Sequence, residues 1–452
     1  NLGSKRVELE ITDLAFDGKA VAHLDGKVVF LTGGLPGETV EAEITRTKPR
    51  YSEGVVHRIL KASELRIPAI CSHFGQCGGC TWQDLIYQQQ LEFKKKQVTD
   101  CLQRIGGLME VRIHDVVGSV ELFNYRNKME FSFHVTEDGG FTLGLHSRGR
   151  FDDIFDLDKC FLQSEVSNRI VHWVREFVER ERIPVYDVKK HTGFMRFLMI
   201  RQAKRRSQLM VNIVTNYGEI PSREKLVREL TAAFPQITTI VHNQNGQKSN
   251  VATGEIETVL FGCGFIEERM FDGIFRIRAN TFFQTNSIQT ETLYRAAFEM
   301  LNPDKNDRVL DLYCGTGSIG ILISHYVDHV TGVELVADAV EIARENAAVN
   351  NVQNITFYQG TVRDFLKKPQ ASETDHNIVI VDPPRAGLHP KALARIIKLK
   401  PKKILYISCN PATFARDAKE LVTQGYRLPE VKPVDMFPHT MHIELVGVFH
   451  PD

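Results

Sequence analysis

No run in this chain of 452 residues is apolar for long enough to cross a bilayer, and Asn1 to Lys5 lack the apolar stretch of a secretory signal. Net charge is missing too. Lys plus Arg and Asp plus Glu each number 56, so no global field draws the chain to polyanions, and nucleic-acid binding must come from local clusters of cations. There is no internal repeat, and the polar run Lys367 to His376 is the one low-complexity stretch. These absences argue against a membrane-spanning, secreted or solenoid protein. They leave a cytoplasmic globular chain, long enough for about three domains. Disulfides are out of place in that compartment, so the eight cysteines, three of them within Cys71 to Cys80, suit metal binding or catalysis better.

Residues 5 to about 60 alternate apolar and polar side chains, with turns at Asp17-Gly18, Asp25-Gly26 and Gly33-Gly34, and read as a small β-barrel. Arg46, Lys48 and Arg50 beside Tyr51 suit an oligonucleotide-facing surface, although three loop charges are as often only solvated. Cys71, Cys77 and Cys80 come next, with glycines between the last two that let the chain fold back so that several sulfurs meet. Zinc and a four-iron cluster both satisfy that pattern, each with a fourth ligand, for which Cys160 is the candidate. Cys101 lies in a segment of helical periodicity, Tyr87 to Arg104, and reads as a packed helix residue. Between about 110 and 270 the strands Tyr125 to His134, Phe141 to His146, Phe197 to Gln202, Gln208 to Thr215 and Ile237 to Asn243, with helices near Ser164 to Arg182 and Ser222 to Phe234, predict an α+β domain. The basic turn Lys204-Arg205-Arg206 could meet phosphates, although such charges more often only face water.

The last third carries the clearest pattern. A strand from Arg308 runs into Asp311-Leu-Tyr313-Cys-Gly-Thr-Gly-Ser318, a second ends at Glu334, a third spans Ile355 to Tyr358 and a fourth ends in Asp382-Pro383-Pro384-Arg385. The glycine turn lets backbone approach a ligand, and an acid closing the second strand can accept both ribose hydroxyls. The phosphate fingerprint G-x-G-x-x-G is missing, which argues against a dinucleotide and for S-adenosylmethionine. Amino-methyltransferases carry an aromatic residue after the two prolines; this chain has Arg385, and on the next strand the thiol of Cys409 in Ser408-Cys409-Asn410-Pro411. A pyrimidine C5 is inert until a nucleophile adds at C6, so a thiol at a strand's C-terminal end implies a pyrimidine carbon. Cytosine-C5 enzymes place their cysteine directly after the fourth-strand proline, and its absence there moves the choice to uracil. A base must then remove the C5 proton. Glu444, at the start of the strand Leu445 to Phe449, is the candidate, with His439 and His442 as rivals.

With Phe282-Phe283-Gln284-Thr-Asn286, the glycine turn, Asp382-Pro-Pro-Arg385, Ser408-Cys409-Asn410-Pro411 and His439-Thr-Met-His-Ile-Glu444, the sequence resembles the RNA uracil-C5 (5-methyluridine) methyltransferase family. It looks most like the enzymes of large-subunit (23S) ribosomal RNA. The resemblance covers nearly the whole chain. It implies a multidomain α/β protein: a TRAM barrel of the oligonucleotide-binding type in 1–61, a central α+β domain with an iron–sulfur loop in 62–275, and a Rossmann-like methyltransferase domain in 276–452. It further implies Cys71, Cys77, Cys80 and Cys160 as ligands of a [4Fe-4S] cluster, Cys409 as nucleophile and Glu444 as proton acceptor. Gln284, Tyr313, Glu334, Thr361 and Asp382 match contacts to S-adenosylmethionine, and Phe282 is placed to stack on the target uridine. A monomer acting on ribosomal RNA is expected; the same chemistry on transfer RNA, or an idle RNA-binding assembly factor, are the alternatives.

Overall fold

The computed structural model describes residues 5–150, 152–248 and 251–452; residues 1–4, the start of the stretch scanned for a signal, lie outside them. The alternating first segment forms strands Lys5–Leu14, Ala20–Leu24, Lys27–Thr32, Thr39–Thr47 and Tyr51–Lys61. They close into a barrel because the first pairs with the fourth and the third with the fifth. Leu9, Ile11, Val29, Leu31 and Val40 point inward, and Trp82 and Leu85 enter from the next segment to complete their core. Two barrel strands nearly touch at Gly54, where a Cβ would stand 2.6 Å from the Glu43 carbonyl oxygen. Buried Glu38 accepts from Arg66 at 2.6 and 3.0 Å, and Arg66 also donates to Asp84 at 2.6 Å, which fastens the barrel to the cysteine-bearing segment.

The middle of the chain builds a seven-stranded sheet around the hairpin Met195–Ala203 and Gln208–Thr215. Lys128–Val135, Phe141–His146 and Ile154–Asp156 extend it on one side, Ile237–Gln244 and Ile256–Phe261 on the other. Helices Glu165–Arg180 and Arg223–Ala233 bury Ile170, Val174, Phe177, Leu226 and Leu230 in this sheet's core. The edge strand Ile256–Phe261 and the hairpin Phe265–Met270 with Gly273–Arg278 had no counterpart in the sequence reading. The basic turn is engaged internally: Lys204 and Arg205 donate backbone N–H groups to buried Glu268, Arg205 pairs with Glu291 at 2.8 Å and Arg206 with Glu267 at 3.2 Å. That leaves it poorly suited to phosphates.

Five parallel strands form the C-terminal sheet, in the order Ile355–Gln359, His329–Glu334, Arg308–Leu312, Ile378–Val381 and Lys403–Ser408. Apolar on both faces, they sit between helices, as parallel strands must. Glu444–Pro451 then joins antiparallel, with Ser408 opposite Leu445, so this strand begins at the edge where the parallel strands end. Glu430–Val434 and, from the middle segment, Arg112–Ile113 complete that side. Helix Tyr87–Arg104 also crosses over: its Val98, Cys101 and Leu102 share a core with Phe414 and Leu421. Among the described residues no helix is long and apolar enough to cross a membrane.

Candidate active site

A cavity of about 960 Å³ opens at the C-terminal edge of the parallel strands, and Phe282, Gln284, Tyr313, Glu334, Thr361, Asp382, Cys409 and Glu444 all line it. Topology accounts for their meeting. Glu334, Asp382 and Cys409 lie at or just past the ends of three parallel strands, and the antiparallel register that sets Ser408 against Leu445 delivers Glu444 to the same edge as Cys409. Asn410 is extended, with φ −140° and ψ 102°; its side chain accepts from the Ala412 N–H at 3.1 Å and donates to the Arg385 carbonyl at 2.9 Å. One residue therefore caps the helix Pro411–Thr423 and ties the thiol's loop to the proline loop.

At the other end of the cavity, Glu334 accepts from the N–H groups of Gly315 at 3.0 Å and Val336 at 2.9 Å, which fixes its carboxylate. Tyr313, just before that turn, takes a left-handed backbone with φ 64°. A Cβ at Gly315 or Gly360 would meet no atom within 4 Å, so both glycines face open space, room for a ligand to lie against backbone. The Thr361 hydroxyl is already engaged, accepting from the Asp364 N–H at 3.0 Å and donating to its carboxylate at 2.8 Å. Phe282 is 66% exposed at the mouth, a bare ring available for stacking. Asn286 caps the helix Ser287–Leu301 and donates to the Met436 carbonyl at 2.9 Å, joining the Phe282 loop to the loop that leads to Glu444.

Burial dominates the electrostatics. Asp382 faces the cavity but lies deep, and burial raises it to about 7. Glu444 is pushed well above the usual carboxylate range by burial and then by Asp382, with Arg385 opposing. Burial, then Glu444 and Asp382, push the Cys409 thiol up to about 11, again against Arg385. Burial thus favours the uncharged form of the Cys409 thiol and of the Glu444 carboxyl, and Arg385 works against it at both. The rival histidines are held down to about 4, chiefly by burial, and neither lines the cavity. His439 stacks on Phe123 at 4.4 Å and bonds to Gln90, while His442 lies 3.2 Å from an Arg385 nitrogen through each ring nitrogen.

Two features went unread in the sequence. Phe437 lines the cavity, and a buried Lys94–Asp435 pair lies behind it. Phe437 sits in an irregular loop without periodicity, and Lys94 on the turns of its helix where the buried residues, Gln90, Lys94 and Gln97, are polar, so neither gives a pattern to find.

Cys71, Cys77, Cys80 and Cys160 come together around a second cavity, of about 390 Å³. Among the described residues no three His, Cys, Asp or Glu side chains stand close enough to hold a single metal ion. Burial, reinforced by the neighbouring thiols, raises Cys80 to about 12 and Cys160, also opposed by backbone N–H groups, to about 11. N–H groups already point at sulfur, from Gly79 to Cys77 at 3.3 Å and from Gln83 to Cys80 at 3.6 Å. Four thiols in one pocket, with donors prepared for charged sulfur, suit a group wider than one ion.

The C-terminal fold, with its glycine turn, strand-end acid and proline loop, is that of S-adenosylmethionine-dependent methyltransferases, joined here to an N-terminal TRAM domain that matches residues 4–57. The chain belongs to the tRNA (uracil-5-)-methyltransferase family, whose pattern matches residues 86–451. An uncharacterized RNA methyltransferase of Chlorobaculum tepidum is 40% identical over 98% of this chain and 96% of its own. One from Bacillus cereus is 37% identical over 97% and 95%. The crystal structure of Pyrococcus abyssi tRNA (uracil-54, C5)-methyltransferase in complex with S-adenosyl-L-homocysteine superposes with a TM-score of 0.78 at 34% identity, covering 98% of this chain and 100% of that one.

Proposed function

We propose that this chain methylates C5 of a uridine in large-subunit (23S) ribosomal RNA. The observation that carries the chemistry is the meeting of Cys409, Glu444 and Asp382 on one cavity at the ends of neighbouring strands. Phe282 stacks on the uracil that leaves its strand, and Gln284, Tyr313, Glu334, Thr361 and Asp382 hold S-adenosylmethionine along the glycine-lined wall. Cys409 gives up its proton to solvent water and its sulfur bonds to C6, moving the C5–C6 electron pair toward C5 and the O4 carbonyl, so that C5 becomes a nucleophilic enolate carbon. S-adenosylmethionine supplies a methyl group on a sulfonium; C5 takes it as the S–CH3 bond breaks, leaving a neutral thioether. Glu444 then removes the C5 proton, the C5–C6 double bond re-forms and the Cys409 sulfur leaves with its electron pair. Arg385, which opposes the upward shifts of both Cys409 and Glu444, favours their charged forms at the steps that need them.

Cys71, Cys77, Cys80 and Cys160 hold a [4Fe-4S] cluster in this reading, a structural cross-link, since methyl transfer moves no net electron. Four iron and four sulfide per chain after anaerobic reconstitution is the expected analysis; zinc in their place refutes it. The barrel occupies 1–61, the middle domain 62–275 and the methyltransferase domain 276–452 of a cytoplasmic monomer. Transfer RNA is the second reading, favoured by the tRNA specificity of the Pyrococcus abyssi relative. Labelled-methyl incorporation into separately transcribed ribosomal and transfer RNA decides between them, with incorporation into transfer RNA alone removing the first. Glu444→Gln tests the chemistry: a covalent protein–RNA adduct should accumulate on a denaturing gel, and its absence defeats the scheme.

A further inference from the structure

We propose that Gln90 and Lys94, one helical turn apart on the helix Tyr87–Arg104, are positioning residues that fix the loop 435–442 and through it Phe437 and Glu444 at the crevice. Lys94 and Asp435 are both wholly buried, with Nζ 2.6 Å from Oδ1, and the ammonium also donates to the Phe437 carbonyl at 3.1 Å. Asp435 in turn accepts from the Phe437 N–H at 3.1 Å and from the Tyr87 hydroxyl at 2.9 Å. Gln90 accepts from the His439 N–H at 2.8 Å and donates to the carbonyls of Trp82 and Leu85, each at 2.9 Å. His439 holds a left-handed backbone, φ 65°, a conformation that persists only where its surroundings impose it.

Burying an ammonium and a carboxylate gains little over an apolar pair of the same volume, so the value of these two lies in the loop geometry they specify. That loop has two anchors. The His439 carbonyl accepts from the N–H groups of Thr81 at 2.8 Å and Trp82 at 3.0 Å, the two residues after Cys80, so the thiol loop and the loop ahead of Glu444 are held by one clamp. The inference rests on the methyl-transfer reading, in which proton removal by Glu444 completes the reaction.

A double variant, Lys94→Met with Asp435→Asn, leaves no unpaired buried charge, and Gln90→Met removes the second anchor while keeping the ion pair. Both are assayed for steady-state turnover, S-adenosylmethionine binding and covalent adduct on a substrate RNA, beside Glu444→Gln. A displaced Glu444 slows the last step, so turnover should fall on the order of a hundredfold, cofactor affinity should hold and adduct should build up. Full turnover without adduct in both variants overturns the positioning role. A fall in turnover without adduct marks general damage and overturns it equally. Absence of adduct in Glu444→Gln as well strikes instead at the methyl-transfer reading.

Discussion

Two cavities in this molecule hold cysteine and treat it in opposite ways. In one, four thiols meet, and burial first and neighbouring sulfurs second make Cys77, Cys80 and Cys160 harder to ionise. In the other, a single thiol faces two carboxyls, with one guanidinium opposing them. They share a wall: Thr285 lines both, and Asn127 clamps it by donating its N–H to the Thr285 carbonyl at 2.8 Å and its side-chain amide to the Gln284 carbonyl at 2.9 Å. Sulfurs gathered in one pocket suit a shared cationic group, the part that the [4Fe-4S] proposal gives this cavity. A lone sulfur kept protonated is released only when something else in its cavity changes, which makes the second a place for a timed reaction. The comparison breaks most sharply under substitution. Cys409→Ala should lower methyl transfer by on the order of a thousandfold or more, because no remaining group can activate C5. On the iron–sulfur proposal, Cys80→Ser should lose bound iron and several degrees of melting temperature yet keep measurable methyl transfer, since in that proposal the thiol loop only supports the site. Iron analysis, melting curves and labelled-methyl incorporation on the two variants check this contrast, and equal activity losses would erase it.

The single thiol also has a pH signature. With Cys409 raised to about 11, its thiolate fraction is small at neutral pH and climbs until that value is reached. Alkylation of Cys409 in the free enzyme should therefore quicken about tenfold per pH unit between pH 7 and 10. Glu444→Gln removes one of the groups that push the thiol up, so its curve should move to lower pH. Peptide mapping after timed iodoacetamide exposure measures both, and a flat profile would mean that the sulfur is already ionised.

Much of this was legible in the chain because the methyltransferase sheet is built from short apolar runs that stop abruptly at chemically distinctive residues. Asp382, Cys409 and Glu444 could each be placed at a strand end before any geometry was known, and the structure brings them to one cavity. What escaped was the support behind them. The helix Tyr87–Arg104 is legible from Val98, Cys101 and Leu102, but the earlier part of its inward face buries Gln90, Lys94 and Gln97, and there the usual contrast of apolar core against charged surface inverts. The edge strand Ile256–Phe261 failed for another reason: nearly all of it is exposed, and it is a strand because Ile237–Gln244 offers an open edge, a tertiary cause with no local trace. The Lys204–Arg206 turn was read as available for phosphate because sequence shows the cations and hides Glu267, Glu268 and Glu291, which come from far along the chain to meet them.

The smallest expected effect concerns Asp311, which lies beneath the crevice, off its lining, and is 1% exposed. Burial, then Asp382, raise it to about 8, and neither carboxyl oxygen has a hydrogen-bond partner among the described residues. Proton counting gives the sign. Between the unfolded carboxylate value near 4 and about 8, the folded protein keeps a proton that the unfolded chain has lost, so stability falls as pH rises through this window, by at most about 1.4 kcal/mol per unit for one group. Asp382, raised to about 7, adds a slope of the same sign that ends a unit earlier. Asp311→Asn cannot ionise, so the variant should gain on the parent steadily from pH 5 to 8, while Asp382 preserves part of the slope below 7. Urea unfolding at three pH values across that span measures the difference. Parallel curves would mean that Asp311 is charged in the folded state, with a carboxylate under the glycine turn in place of a neutral acid.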